Sequence, residues 1–206
     1  MAPSLLSNFC VCGLALALGF ASGAQQARSN RQELVLESGP LVFDAQAKLF
    51  KIKAPRIRQG DLYIAADDAV ATSVEFDAAS EWRLIGNVRL EAGAAVMTAD
   101  SAVFTFDQRR LGRGELTGAP ASFTHLNPER KKPFSGTANE LSYDAVASTL
   151  RLTGNVSLQR DQNEVQGCDL IYDLKTEGFS SGDSDCGVRV RVVPESDRQD
   201  DRPPPQ

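Results

Sequence analysis

Apolar and polar residues alternate one by one over many stretches of the chain. Val88 and Leu90 flank Arg89, Val156 and Leu158 flank Ser157, Phe104 and Phe106 flank Thr105, and Leu141 and Tyr143 flank Ser142. A period of two gives a β-strand one apolar face and one wet face. No convincing helical stripe follows residue 24. Pro55, Pro120, Pro128 and Pro133 fall outside the alternating runs, as expected of residues with no amide hydrogen to give a ladder. Gly86-Asn87 and Gly154-Asn155 stand beside strand starts, where they should supply a sharp turn or a bulge.

A longer period overlies the alternation. An aromatic residue followed by aspartate recurs at Phe43-Asp44, Phe76-Asp77, Phe106-Asp107, Tyr143-Asp144 and Tyr172-Asp173, the aromatics standing 33, 30, 37 and 29 residues apart. Before the pair comes a small residue, a polar one and then an aliphatic, as in Ala66-Asp67-Asp68-Ala69, Ala99-Asp100-Ser101-Ala102 and Ala138-Asn139-Glu140-Leu141. After it comes a turn and a second strand, and Gly86-Asn87-Val88-Arg89-Leu90 parallels Gly154-Asn155-Val156-Ser157-Leu158. A period near 30 residues marks a repeat architecture. One unit of two or three strands cannot hide its apolar face from water, whereas stacked units can if the sheet curls over itself. The expected fold class is all-β: a long, folded-over antiparallel sheet, a jelly roll or two-layer solenoid. Its two ends are open, with unpaired strand edges that a partner can use.

Composition narrows the function. The chain has 206 residues, 42% of them hydrophobic, with a formal net charge of -5. That acidity disfavours a nucleic-acid partner or an anionic membrane surface, because there is no basic field to displace phosphate counterions. Arg109-Arg110 and Arg130-Lys131-Lys132 are short basic runs that read as solvated loops. The single histidine, His125, sits in a turn-like segment ending Asn127-Pro128. The usual nucleophile, phosphate-loop, dinucleotide and zinc-protease motifs are missing from the sequence. Paired acids such as Asp67-Asp68 and Asp200-Asp201 are adjacent, so on a strand they point to opposite faces. The sequence therefore reads as non-enzymatic, with no cofactor or metal expected.

Residues 1–24 carry no charged side chain; residues 14–20 are an apolar core, and Ser22 and Ala24 fit a small-x-small cleavage rule. This is the pattern of a secretory leader cut after Ala24, although no Lys or Arg precedes the apolar core. An uncleaved anchor is the alternative. Cleavage would remove Cys10 and Cys12 and leave Cys168 and Cys186. In an exported chain two cysteines suggest a disulfide closing a hairpin, against the alternative of two buried thiols; two ligands are too few for zinc. Residues 194–206 hold four prolines and six charged side chains, and a disordered tail is expected there.

The stretches Lys132-Pro133-Phe134-Ser135-Gly136-Thr137-Ala138, Leu152-Thr153-Gly154-Asn155-Val156, Gly118-Ala119-Pro120-Ala121-Ser122-Phe123 and Val165-Gln166-Gly167 with the following Tyr172 resemble the LptA/OstA family over about residues 74–194. The resemblance implies a twisted β-jelly roll in the periplasm that binds lipopolysaccharide and bridges the inner and outer membranes. Its partners would be LptC-like inner-membrane and LptD-like outer-membrane proteins, with head-to-tail copies of itself also in view. Acyl chains would ride in an apolar groove while sugars stay in water. By position Phe123 and Tyr143 match lipid-facing places in the family. Alternation adds Phe104, Phe106, Leu141, Leu152, Val156 and Leu158 as neighbours, with ordinary core packing as the other reading of each. Arg189-Val190-Arg191-Val192-Val193-Pro194 resembles the family's last strand, which makes Val190, Val192 and Val193 candidates for pairing at an end edge. The implied organisation is a leader at 1–24, a jelly roll at 25–194 and a tail at 195–206. An extra amino-terminal repeat at 33–67 is not part of the family pattern. Nor is the Cys168–Cys186 pair. A non-conducting scaffold or LptC-like anchored module of the same fold is the competing function. A glycan hydrolase would need convergent acids.

Overall fold

The computed structural model describes residues 32–76, 80–126, 133–182 and 185–194. The expected leader and tail lie outside the described residues, as do Asp77, Asn127, Pro128, the basic run at 130–132 and Asp200-Asp201. Fourteen strands form one antiparallel sheet. They are β1 (Val35–Glu37), β2 (Leu41–Asp44), β3 (Leu49–Lys53), β4 (Arg56–Gln59), β5 (Leu62–Ala65), β6 (Asp68–Ala71), β7 (Ser80–Ala92), β8 (Ala95–Asp107), β9 (Arg110–His125), β10 (Phe134–Asp144), β11 (Thr149–Arg160), β12 (Asn163–Asp173), β13 (Phe179–Ser181) and β14 (Arg189–Arg191).

The short strands are halves of long rungs. β1 pairs β4 while β2 pairs β3, β5 and β6 both pair β7, and β13 and β14 both pair β12. Six whole strands, β7 to β12, and four broken ones thus stack as ten rungs. Every rung bends near its middle. Register shifts fall between Ile85 and Val88, Thr98 and Ser101, Ala138 and Glu140, and Thr153 and Val156. The broken rungs bend at Gly39-Pro40, Ala54-Pro55 and Ala66-Asp67. These breaks line up as one corner across the sheet, and the sheet folds along it into two layers. Contacts between strands that are not neighbours prove the folding: Phe123 of β9 lies 5.4 Å from Tyr172 of β12, ring centroid to centroid.

Bulges also keep the apolar face inward on both sides of the corner. In β8 the buried positions are Ala95 and Met97 before the bend and Ala102, Phe104 and Phe106 after it, a switch from odd to even numbers. An extra residue at a bulge makes that switch. β7 and β11 keep the same numbering through the corner, with Leu84 and Val88 or Leu152 and Val156 buried on either side of Gly86-Asn87 and Gly154-Asn155, whose φ values are positive at +77° and +47° and at +76° and +50°. Their surroundings differ from the sequence expectation in one respect. β7 and β11 run straight through them, so they mark mid-strand bulges rather than strand starts. Pro120 likewise lies inside β9, at its bulge, where no ladder hydrogen bond is needed from it. The expectation of Pro120 as punctuation outside the alternating runs is corrected there: it breaks the alternation at a bulge while the strand continues.

The two halves of the sequence repeat have separate structural reasons. In Phe43-Asp44, Tyr143-Asp144 and Tyr172-Asp173 the aspartate ends a strand and caps the turn that follows. Oδ1 of Asp44 accepts from the amides of Gln46 and Ala47, that of Asp144 from Val146 and Ala147, and that of Asp173 from Lys175 and Thr176. The side chain substitutes for a backbone acceptor in the turn. The small-polar motif sits at the corner and ties one rung to the next: Asn87 Nδ2 donates to Asp67 at 2.8 Å, the Ala119 amide to Asp100 at 3.1 Å, and Asn155 Nδ2 to Asn139 at 3.3 Å. One repeat is therefore two rungs. Residues 33–67 supply β1 to β5 to the same sheet.

Candidate functional site

The space between the layers is the candidate site. Phe104, Phe106, Leu141, Tyr143 and Leu152 enter it from one layer, and Phe123, Val156 and Leu158 from the other. All eight are buried, Tyr143 the most accessible at 7%. They belong to one apolar core that runs from Ile52 to Tyr172. The interior is closed in this state, its side chains packed against one another. Burial also raises the pKa of the Tyr143 hydroxyl, and Asp144 beside it adds to the shift.

Two glycines that sequence reasoning passed over make this packing possible. A Cβ on Gly136 would stand 2.5 Å from the Phe123 ring and 2.6 Å from Leu158, and one on Gly114 would stand 2.5 Å from the Phe104 ring. Their signal was available: each occupies an inward place in an alternating run, Gly136 between Phe134 and Ala138, Gly114 two before Leu116.

Among the described residues, Phe43 and Phe50 form a pair at 4.9 Å on the first two rungs, and other aromatic residues gather in two larger groups. In the first, Phe76 stacks on Trp82 at 4.7 Å and meets Phe106 edge-on at 4.9 Å. Near the carboxy-terminal end Phe134 stacks on Tyr172 at 4.5 Å, with Phe123 and His125 beside them. His125 lies at the end of β9 rather than in a turn, and it is buried. Its Nδ1 is 2.9 Å from the Tyr172 hydroxyl. Loss of hydration lowers its pKa below the usual imidazole value; Glu177 opposes that shift and Arg160 adds to it.

The long side opposite the corner is the mouth of the fold, where hairpin turns of both layers meet. Gln59 Nε2, from one layer, donates to the Arg109 carbonyl in a turn of the other at 2.6 Å. Arg160, at the end of β11, pairs with Glu177 in the turn after β12 at 3.5 Å, and its guanidinium lies 4.8 Å over the Phe134 ring.

Among the described residues neither end of the sheet is covered by a further strand, and both carry exposed apolar side chains. Val35, Leu41, Val42 and Phe43 on the first rung are exposed, as are Phe179, Val188, Val190 and Val192 on or beside the last. Of the three candidate edge residues, Val190 lies in β14 opposite Val165, and Val192 and Val193 follow the strand. Val193 is half-buried and its amide donates to Asn163 at 3.0 Å. Cys168 and Cys186 are joined, with Cα atoms 6.1 Å apart. Cys168 lies on β12 at the corner and Cys186 on the connection between β13 and β14. The disulfide thus takes the corner place that Asp67–Asn87 and Asn139–Asn155 take in other repeats. Among the described residues no group of three potential metal ligands converges.

Residues 70–178 match the family described as LptA/(LptD N-terminal domain) LPS transport protein. The lipopolysaccharide export system protein LptA of Haemophilus influenzae is 29% identical over 112 residues, covering 52% of this chain and 64% of that protein. The same-named protein of Escherichia coli K12 is 30% identical over 110 residues, covering 52% and 58%. The match spans less than two thirds of either relative. The crystal structure of LptH, the LptA homologous periplasmic component of the lipopolysaccharide transport device of Pseudomonas aeruginosa, shares the fold. Its TM-score is 0.51 at 11% identity, over 79% of this chain and 96% of that one. The match over more than half the chain, on a sheet with the same architecture, places this protein in the LptA/LptD amino-terminal domain family of LPS transport proteins.

Proposed function

We propose that this protein binds lipopolysaccharide in the bacterial periplasm and forms part of a bridge that carries it between membranes. The observation that carries this reading is a single apolar interior that runs through most of the ten rungs, between two terminal edges that no other described strand covers and that carry exposed apolar side chains. Non-directional apolar contact suits a moving acyl chain, since it offers many equivalent resting places and no deep trap. Phe123 and Tyr143, with Phe104, Phe106, Leu141 and Leu152 around them, form the acyl path, and Val156 and Leu158 continue it. The unpaired edges, including Val190 and Val192, join LptC-like and LptD-like neighbours or further copies by strand addition. The chain acts by binding, without catalysis.

Because the interior is packed shut, lipid entry requires the layers to part. That same packing favours the second reading, a scaffold of this fold that joins envelope proteins without carrying lipid. Photocrosslinking from Phe123 and Tyr143 in cells separates the two. Adducts with lipopolysaccharide are expected. Adducts with protein neighbours alone would support the scaffold.

A further inference from the structure

The mouth is fastened at its carboxy-terminal end by a set of side chains that core packing does not require. His125, Phe134 and Arg160 are register partners on β9, β10 and β11 and so form one rank across a layer. They face Tyr172 and Glu177 of the other layer. Nδ1 of His125 meets the Tyr172 hydroxyl at 2.9 Å, Phe134 stacks on the Tyr172 ring, and Arg160 pairs with Glu177 at 3.5 Å. The Glu177 side chain is 8% exposed and that of Arg160 34%, so the cation reaches water at the lip while its partner lies behind it. Immediately inward the surroundings are apolar, with Leu158 two residues along β11 and Phe123 two along β9.

We propose that this clasp is an entry site for an anionic amphiphile, and that a phosphate head opens it by taking the place of Glu177 on Arg160. The proposal rests on the lipid-binding reading above and adds where and how the interior opens. A guanidinium binds phosphate through two parallel hydrogen bonds, a stronger arrangement than the long Glu177 contact. A head held there leaves its alkyl chain against Phe134, Phe123 and Leu158. Displaced Glu177 gives up its Arg160 contact across the mouth, which weakens the fastening of the turn after β12 beside the His125–Tyr172 bond.

The test measures opening directly. Leu158→Cys in the full chain places a thiol in the interior, and its alkylation is followed on the peptide carrying residue 158 by mass spectrometry. Tyr172→Phe keeps the ring and removes the bond; Glu177→Gln keeps the shape and weakens the pair. Each should speed alkylation about three- to tenfold, the population change that losing one buried hydrogen bond produces. Dodecyl phosphate should speed it in the parent, dodecanol should do so less, and Arg160→Gln should abolish the difference between them. Equal effects of the two amphiphiles, or a difference that survives Arg160→Gln, would overturn the proposal. So would unchanged alkylation in both clasp variants while thermal unfolding shows them folded. The lipid-carrying reading fails separately, by absence of lipopolysaccharide adducts at Phe123 and Tyr143 in cells.

Discussion

Gly136 shows how closely the interior depends on single side chains. It sits between Phe123 and Leu158 on adjacent strands, and any Cβ there meets both. Gly136→Val should destabilise the fold by about 1–3 kcal/mol through overpacking, read by chemical denaturation. Truncation at a filled site works in the opposite sense, and Leu152→Ala should cost about 2–5 kcal/mol. His125 makes stability depend on pH. Its folded pKa is lowered from 6.5, so the unfolded chain takes up the proton first as pH falls. The stability present above pH 6.5 therefore declines as pH drops toward the lowered folded value, and His125→Gln should flatten that part of the profile. Inward and outward positions were legible in the alternation itself. The inward glycines were not used because a glycine carries no hydrophobic signal, and His125 read as a turn residue because Asn127-Pro128 follow it.

At the level of strands, the repeat was legible and its meaning was not. Gly86-Asn87 and Gly154-Asn155 adopt positive φ, which both a turn and a bulge require. Sequence alone cannot separate the two, because the deciding fact is whether the neighbouring rung continues alongside. Here it does, and the strands bend instead of ending. The aspartate after each aromatic was visible as a pattern; that Asp44, Asp144 and Asp173 each accept from two turn amides was not, because it depends on the turn's backbone geometry. Those bonds hold the Asp44 and Asp173 carboxyls below the usual range, the amides of Ala47 and of Thr176 contributing most. The stability they add is present above the ordinary carboxylate pKa and is lost as pH falls through the lowered values. Asp173→Ala should lower the melting temperature at neutral pH and lessen the acid dependence of unfolding. The disulfide anchors the last, broken rung where weaker side-chain bonds anchor others. Replacing both Cys168 and Cys186 by serine should cost on the order of 3 kcal/mol and raise hydrogen exchange first in β13 and β14.

Over the whole molecule, a folded sheet of ten rungs encloses one continuous apolar core from Ile52 to Tyr172, and no further described strand covers either end. A charge or proline at Val190 should weaken head-to-tail association, so that sedimentation of the variant depends less on concentration than that of the parent. Unchanged sedimentation in both would count against pairing through this edge. The central claim concerns which face of the strands meets lipid, and β10 offers the most direct measurement because buried and outward residues alternate along it. A photocrosslinker placed in turn at Glu140, Leu141, Ser142 and Tyr143 in cells should give lipopolysaccharide adducts at Leu141 and Tyr143 and none at Glu140 and Ser142. Adducts on both faces alike, or only on the outward face, would contradict an interior lipid path.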